Sequence, residues 1–197
     1  MARRTRKRQV DRWKDAGPIH YTSPPGASTN REDGLPGGPH PRAIEEATLL
    51  YFAYTTRIAP DRMAAAAPSA EFEFIAHLPE WGLDFPVESD AWGGTLPTVT
   101  PTTGSTVWGA VFEVDESALE AIDEAEAAEH RVRTTVEAMD RMGRRHQVAV
   151  HLHQTNGGSN GGVPPSAAYL EIMLDGSRHW SLPAGWIAGL EEHLQSN

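Results

Sequence analysis

The alternation of apolar and polar positions changes period several times along the chain, and each change marks an element. Leu49 to Tyr54 is a continuous apolar and aromatic run, which predicts a buried strand. It stops abruptly at Thr55-Thr56-Arg57, a polar loop. Pro60 then opens a short helix over 60–67, since proline suits a first helical turn. From Glu71 to His77, Phe72 and Phe74 alternate with acidic residues, the pattern of a half-exposed strand. Trp81–Phe85 reads as another short strand. Gly93-Gly94 leads into a Thr/Val strand over 95–100, and 101–105 reads as a turn. Thr106–Val114 is a strong strand with Trp108 and Phe112 on one face.

A helical period then takes over. Residues 115–130, DESALEAIDEAEAAEH, predict the best helix in the chain, with Ser117 and Glu120 spaced as a capping box. Arg131–Ala138 and Gln147–His153 read as two strands of a hairpin around 139–145. Residues 156–162, NGGSNGG, read as a flexible loop. A helix is expected over 165–174. Ser181 is placed to cap a last helix whose apolar stripe is Trp186, Leu190 and Leu194. Many short strands with a few helices indicate an α+β fold, a small mixed β-barrel with flanking helices packed outside.

Residues 1–46 break this pattern. A basic cluster is followed by SPPGASTNREDGLPGGPHP, too poor in apolar residues to offset its ordering entropy. The expected division is a disordered tail over 1–46, with 43–47 as a short helical lead-in, and a folded domain over 47–197. The tail changes the charge balance. Residues 1–14 hold seven Arg or Lys and one acid, whereas the remainder has ten basic and 26 acidic residues. An acidic body repels phosphate, which argues against nucleic acid as a partner except through the basic tail. The chain has no cysteine, which removes disulfides, thiolate metal sites and a cysteine nucleophile, and is compatible with a reducing cytoplasm. No apolar run is long enough to span a membrane, so no membrane partner is expected, and the basic start lacks the apolar segment of a signal peptide.

Candidate chemistry centres on one carboxylate. The predicted helix at 115–130 is rich in acids, and most suit an exposed face. Glu126 does not. It lies seven residues after Leu119 and four after Ile122, on the apolar stripe. A carboxylate turned toward the core loses hydration and becomes a usable general acid/base near neutral pH. His151-x-His153 could put two imidazoles on one strand face for a metal, but no third ligand is evident nearby, and surface or hairpin histidines are expected. There is no nucleophile elbow, dinucleotide fingerprint or phosphate loop, and nothing calls for a cofactor.

Ordered across the chain, LYFAY (50–54), PSAEFEFIAHLPEWGLDF (68–85), WGGTLPTV (92–99), STVWGAVFEV (105–114), LEAIDEAE (119–126) and PPSAAYLEIMLDGSR (164–178) resemble the gamma-glutamylcyclotransferase family, which includes AIG2-like proteins and gamma-glutamylamine cyclotransferases. The resemblance implies a small barrel with flanking helices. It also implies a cytoplasmic enzyme of γ-glutamyl or glutathione metabolism. Its reaction is an attack by the α-amine of a γ-glutamyl group on its own γ-carbonyl, releasing 5-oxoproline and an amine or amino acid. Glu126 falls on the family's catalytic glutamate, and Tyr169 on a late tyrosine that faces the pocket. Trp92-Gly93-Gly94 is placed near that pocket.

Two stretches depart from the family. Its Tyr-Gly-Ser-Asn substrate loop is here Tyr54-Thr55-Thr56-Arg57. Threonine resists positive φ, so either the loop follows another path or the site has been rebuilt. Thr56 keeps a hydroxyl, and Arg57 supplies a cation that could bind a carboxylate. After Glu126 the chain runs Ala127-Ala128-Glu129-His130-Arg131, where the family commonly has Gly and a later Tyr. The alternative function is a weak or inactive homologue that binds a small ligand or regulates.

Overall fold

The structure, a computed structural model, describes residues 48–154 and 162–195. These residues belong to one compact unit spanning Ala43–Asn197. The expected tail over 1–46 and most of the loop over 156–162 lie outside the described residues. Five strands close into a barrel in the order β1-β3-β2-β4-β5. They are β1 (Leu49–Ala53), β2 (Glu71–Ser89), β3 (Gly94–Val114), β4 (Arg131–Asp140) and β5 (Arg145–His153). Neighbours are antiparallel, except that β5 meets β1 in parallel at Tyr51 and Ala149. Four helices flank the barrel: α1 (Pro60–Ala66), α2 (Glu116–Ala127), α3 (Ala167–His179) and α4 (Ala184–Gln195). The expected α+β barrel is the fold that forms. No described helix is long and apolar enough to cross a membrane.

The continuous apolar run of β1 is explained by burial on both faces. Phe52 and Tyr54 pack with Val107, Val111, Val148 and Val150 in a cluster built mostly from strands, with Trp186 of α4 against it. Tyr51 and Ala53 pack the other way, with Met63 of α1 and Leu119 and Ile122 of α2. A third cluster joins Leu170, Met173 and Leu174 of α3 to Leu190 of α4, with Trp186 and Leu194 packed against it. The expected stripe of the last helix is therefore the face that is buried.

Several local expectations are corrected. The short strands over 71–77 and 81–85 are one strand of 19 residues. The strands over 95–100 and 106–114 are likewise one, and the expected turn at 101–105 lies within it. The Pro and Gly residues that looked like breaks are absorbed by register shifts, such as the one between Pro79 and Trp81, where Glu80 has φ 63°. Helix α2 is capped by Asp115 rather than Ser117. The Asp115 carboxylate accepts from Ala118 N and from the Ser117 hydroxyl, both at 2.7 Å. The helix also stops at Ala127, short of residue 130. Ser181 takes a left-handed φ of 56° three residues before α4 and does not act as its cap. Ser166 caps α3, accepting from Tyr169 N.

Helix α3 sets the position of the loop after β1. Gly176 lies against it so closely that an added Cβ would sit 2.6 Å from Ile58 Cγ2 and 2.7 Å from Ala59 N. Trp180 fixes the same turn from the helix end, donating from Nε1 to the Ile58 carbonyl at 2.7 Å. In an open helix, replacing Gly by Ala stabilises by about 1 kcal/mol. Here the sign should reverse. Gly176→Ala is expected to lower the unfolding free energy by about 1–3 kcal/mol through overpacking, measured by urea titration. A stabilised variant would contradict this close approach.

Candidate functional site

The site is assembled where the loop after β1 meets the C-terminal end of α2. Thr55 has φ −86°, an ordinary extended conformation, so the loop follows a path that a β-branched residue accepts without strain. A single 3-10 turn, Thr56–Ile58, follows it. The Thr55 hydroxyl accepts from Arg57 N at 3.5 Å and donates to Glu126 Oε1 at 3.3 Å. The two residues are 71 positions apart in sequence. Arg57 joins the same oxygen, its Nε 3.5 Å from Glu126 Oε1. Glu126 itself is 2 % exposed, as its place on the stripe of Leu119 and Ile122 requires.

A second arginine completes the compensation. Arg131, at the start of β4, has a fully buried side chain, and its Nη1 lies 3.0 Å from Glu126 Oε2. The same Nη1 reaches Glu129 Oε2, while Nη2 donates to the Pro97 carbonyl at 3.0 Å. Burial alone would push this guanidinium toward its neutral form. The surrounding Tyr169, Glu126, Tyr54 and Glu129 outweigh that and raise its pKa above the usual arginine value. It therefore stays charged. Burial of Glu126 is as expected, and the structure adds two cations beside it.

Tyr169 sits beside this network rather than on Glu126. Its hydroxyl donates to Glu129 Oε2 at 3.0 Å, with Thr56 close by. Trp92 Nε1 donates to the other oxygen of Glu129 at 3.2 Å. The Tyr54 hydroxyl turns to the His151 carbonyl at 2.9 Å and makes no bond to Glu126. Burial pushes the Tyr54 phenol up to about 12, and raises Tyr169 as well, so both remain donors at neutral pH. The structure thus brings Thr55, Arg57 and Glu126 into direct contact. Thr56 and Tyr169 stand one residue further out, and Tyr54 braces the loop from below.

Sequence reasoning missed Arg131 and Glu129. Hydropathy along β4 favours Val132 inward, yet Val132 is 43 % exposed while Arg131 is 2 % exposed. The available signal was the end of the helix. Once α2 stops at Ala127, Glu129 and Arg131 lie on a turn and a strand start, where an acid and a base two residues apart can meet. The two histidines of β5, His151 and His153, lie in the β4–β5 hairpin, one of the two settings expected for them, but are buried rather than at the surface. His151 Nε2 lies 2.8 Å from Asp123 Oδ1. Asp123 also pairs with Arg133 at 3.3 Å.

The arrangement offers one buried, charge-compensated carboxylate with a hydroxyl and a guanidinium against the same oxygen. Such a group can take and return a proton, while the cations beside it can hold a carboxylate or a developing oxyanion. The barrel and its flanking helices have solved and curated relatives. The AIG2-like family model matches residues 106–190. The gamma-glutamylcyclotransferase of Mus musculus is 31% identical over 145 residues, covering 71% of this chain and 75% of its own. That of Homo sapiens is 29% identical over 144 residues, covering 71% and 75%. A solved structure named gamma-glutamyl cyclotransferase superposes with a TM-score of 0.67 at 29% identity, covering 74% of this chain and 87% of its own. The chain belongs to the gamma-glutamylcyclotransferase family.

Two predictions test this geometry. Removing Arg131 takes away the guanidinium shared by Glu126 and Glu129 and leaves the buried Glu126 with Arg57 alone as its cation. Arg131→Met should cost about 3–5 kcal/mol of stability in chemical unfolding at neutral pH, far more than an exposed arginine. The buried histidines set the pH response. Burial first, then the Arg131 charge, pushes His153 down to about 4, and burial also lowers His151 and His77. As pH falls below about 6.5 the unfolded chain takes up these protons before the folded one does. Stability should therefore be fully present above about pH 6.5 and fall steadily toward pH 4. His153→Gln should flatten that slope in parallel urea titrations, and NMR should place the His153 midpoint near 4.

Proposed function

We propose that this protein is a γ-glutamyl cyclotransferase with Glu126 as its catalytic acid/base. The observation that carries the reading is the contact of Glu126 with Thr55 and Arg57, because the loop and the glutamate that serve the reaction in the family come together here. The substrate is a small molecule with a free γ-glutamyl head, and the setting is the cytoplasm. Glu126 takes a proton from the α-ammonium. The freed amine attacks the γ-carbonyl, a C–N bond forms, and the tetrahedral centre carries an oxyanion. Glu126 returns its proton to the departing nitrogen as the original C–N bond breaks, then takes the second proton from the ring nitrogen and passes it to the released amine, leaving 5-oxoproline and the amine or amino acid as its ammonium form. Both reacting atoms sit in one molecule, so the protein's main task is to hold it curled. Tyr54 keeps the loop in place. Thr55, Thr56, Arg57 and Tyr169 are the groups placed to bind the substrate, with Arg57 supplying charge where the family uses neutral groups.

A second reading has its own support. Both oxygens of Glu126 are already engaged, one of them by a fully buried arginine at 3.0 Å. A carboxylate so held suits a protein that binds a γ-glutamyl ligand and turns it over slowly or not at all. Incubation with γ-glutamyl amino acids, γ-glutamyl amines and glutathione, followed by mass spectrometry of 5-oxoproline, separates the two. The cyclotransferase reading expects product from at least one substrate, reduced by about 10²–10⁴-fold in Glu126→Gln. Binding of these compounds without product would favour the second reading.

A further inference from the structure

We infer that Trp92 Nε1, the Tyr169 hydroxyl and Arg131 Nη1 form a carboxylate receptor, which Glu129 fills from within the chain and which a ligand carboxylate takes over by displacing it. All three donors converge on one carboxylate: Trp92 on Oε1 at 3.2 Å, Tyr169 on Oε2 at 3.0 Å, and Arg131 on Oε2 as well. They come from three separate parts of the chain, the β2–β3 turn, α3 and β4.

The donors are held together without help from Glu129. The Trp92 and Tyr169 rings meet edge to face at 4.8 Å, and the Arg131 guanidinium lies 5.6 Å from the centre of the Tyr169 ring. Ser166 ties the first two by backbone. Its hydroxyl donates to the Trp92 carbonyl at 2.7 Å and accepts from Tyr169 N at 3.3 Å. Gly94 admits that contact, since an added Cβ would lie 2.7 Å from Ser166 N. Arg131 is anchored separately on the Pro97 carbonyl and on Glu126. Donors fixed in this way stay converged when the carboxylate between them changes.

Glu129 is held differently. It lies beyond the end of α2, in a turn whose next residue, His130, has φ 60°. Its side chain is 19 % exposed, against none for Arg131. It can swing outward while Arg131 keeps Glu126 as its partner. The receptor's chemistry suits the carboxylate of a small ligand. The carboxylate of a γ-glutamyl compound, or of 5-oxoproline, meets that description. The identity of the natural ligand rests on the cyclotransferase reading, whereas the receptor does not.

The test follows the assigned Trp92 indole N–H by NMR while acetate and, separately, 5-oxoproline are titrated into the protein. Glu129→Ala should bind each about tenfold more tightly than wild type, with the indole signal moving on saturation. Adding Tyr169→Phe should remove most of that gain. If the alanine variant does not fold, Glu129→Gln keeps the size and removes the charge, and a gain of about threefold is expected. Equal affinities in wild type and variant, or an indole signal that never moves, would overturn the receptor. Tighter binding of acetate but not of 5-oxoproline would uphold the receptor and count against the cyclotransferase reading.

Discussion

A carboxylate cannot be buried without compensation, and the structure around Glu126 is arranged to supply it. Helical phase turns Glu126 onto the apolar side of α2, beside Leu119 and Ile122. The cost of that placement falls on two guanidinium groups from opposite sides. Arg57 comes from the loop after β1, and Arg131 from the first residue of β4. Much of the surrounding architecture serves to hold these two in reach. Gly176 of α3 and Trp180 just past its end pin the turn that carries Arg57, and Pro97 of β3 anchors the far side of Arg131.

The same constraint links fold to chemistry. A barrel fixes the ends of its strands relative to one another, so groups from distant parts of the sequence return to one place. Thr55 and Glu126 are 71 residues apart, and Trp92 and Glu129 are 37 apart. Hydrogen bonds of this kind are precise only because the strands beneath them are packed on both faces. The Thr-Thr-Arg loop reaches the buried carboxylate without a glycine. Thr55 needs no left-handed backbone, and its side chain both caps the turn and contacts the carboxylate. Arg57, two residues on, sets a cation beside the same carboxylate.

What the sequence disclosed follows the range of each interaction. Glu126 was legible because helical period is local and Leu119 and Ile122 define the face within two turns. The strand β1 and the stripe of α4 were legible for the same reason. Family resemblance added Tyr169 and the neighbourhood of Trp92. Arg131 was hidden because its partner is not in its own strand pattern; the hydropathy of β4 points Val132 inward, and only the pair of carboxylates reverses it. The long strands β2 and β3 were hidden because proline and glycine act as breaks in isolation, whereas paired strands absorb them in bulges. Asp115 was passed over for Ser117 because both suit a cap, and only the bond to Ala118 N decides between them.

The most direct test of the account is the structure of the protein with 5-oxoproline bound. If Glu126 handles the proton of the cyclising amine, the ring nitrogen must lie at hydrogen-bonding distance, about 3 Å, from the Glu126 carboxylate. Arg57 should stand on the same side of the ligand. A product molecule seated elsewhere, as in the groove between α3 and α4 lined by Leu174, Arg178 and Glu191, with Glu126 still paired to Thr55 and its two arginines, would contradict the central claim.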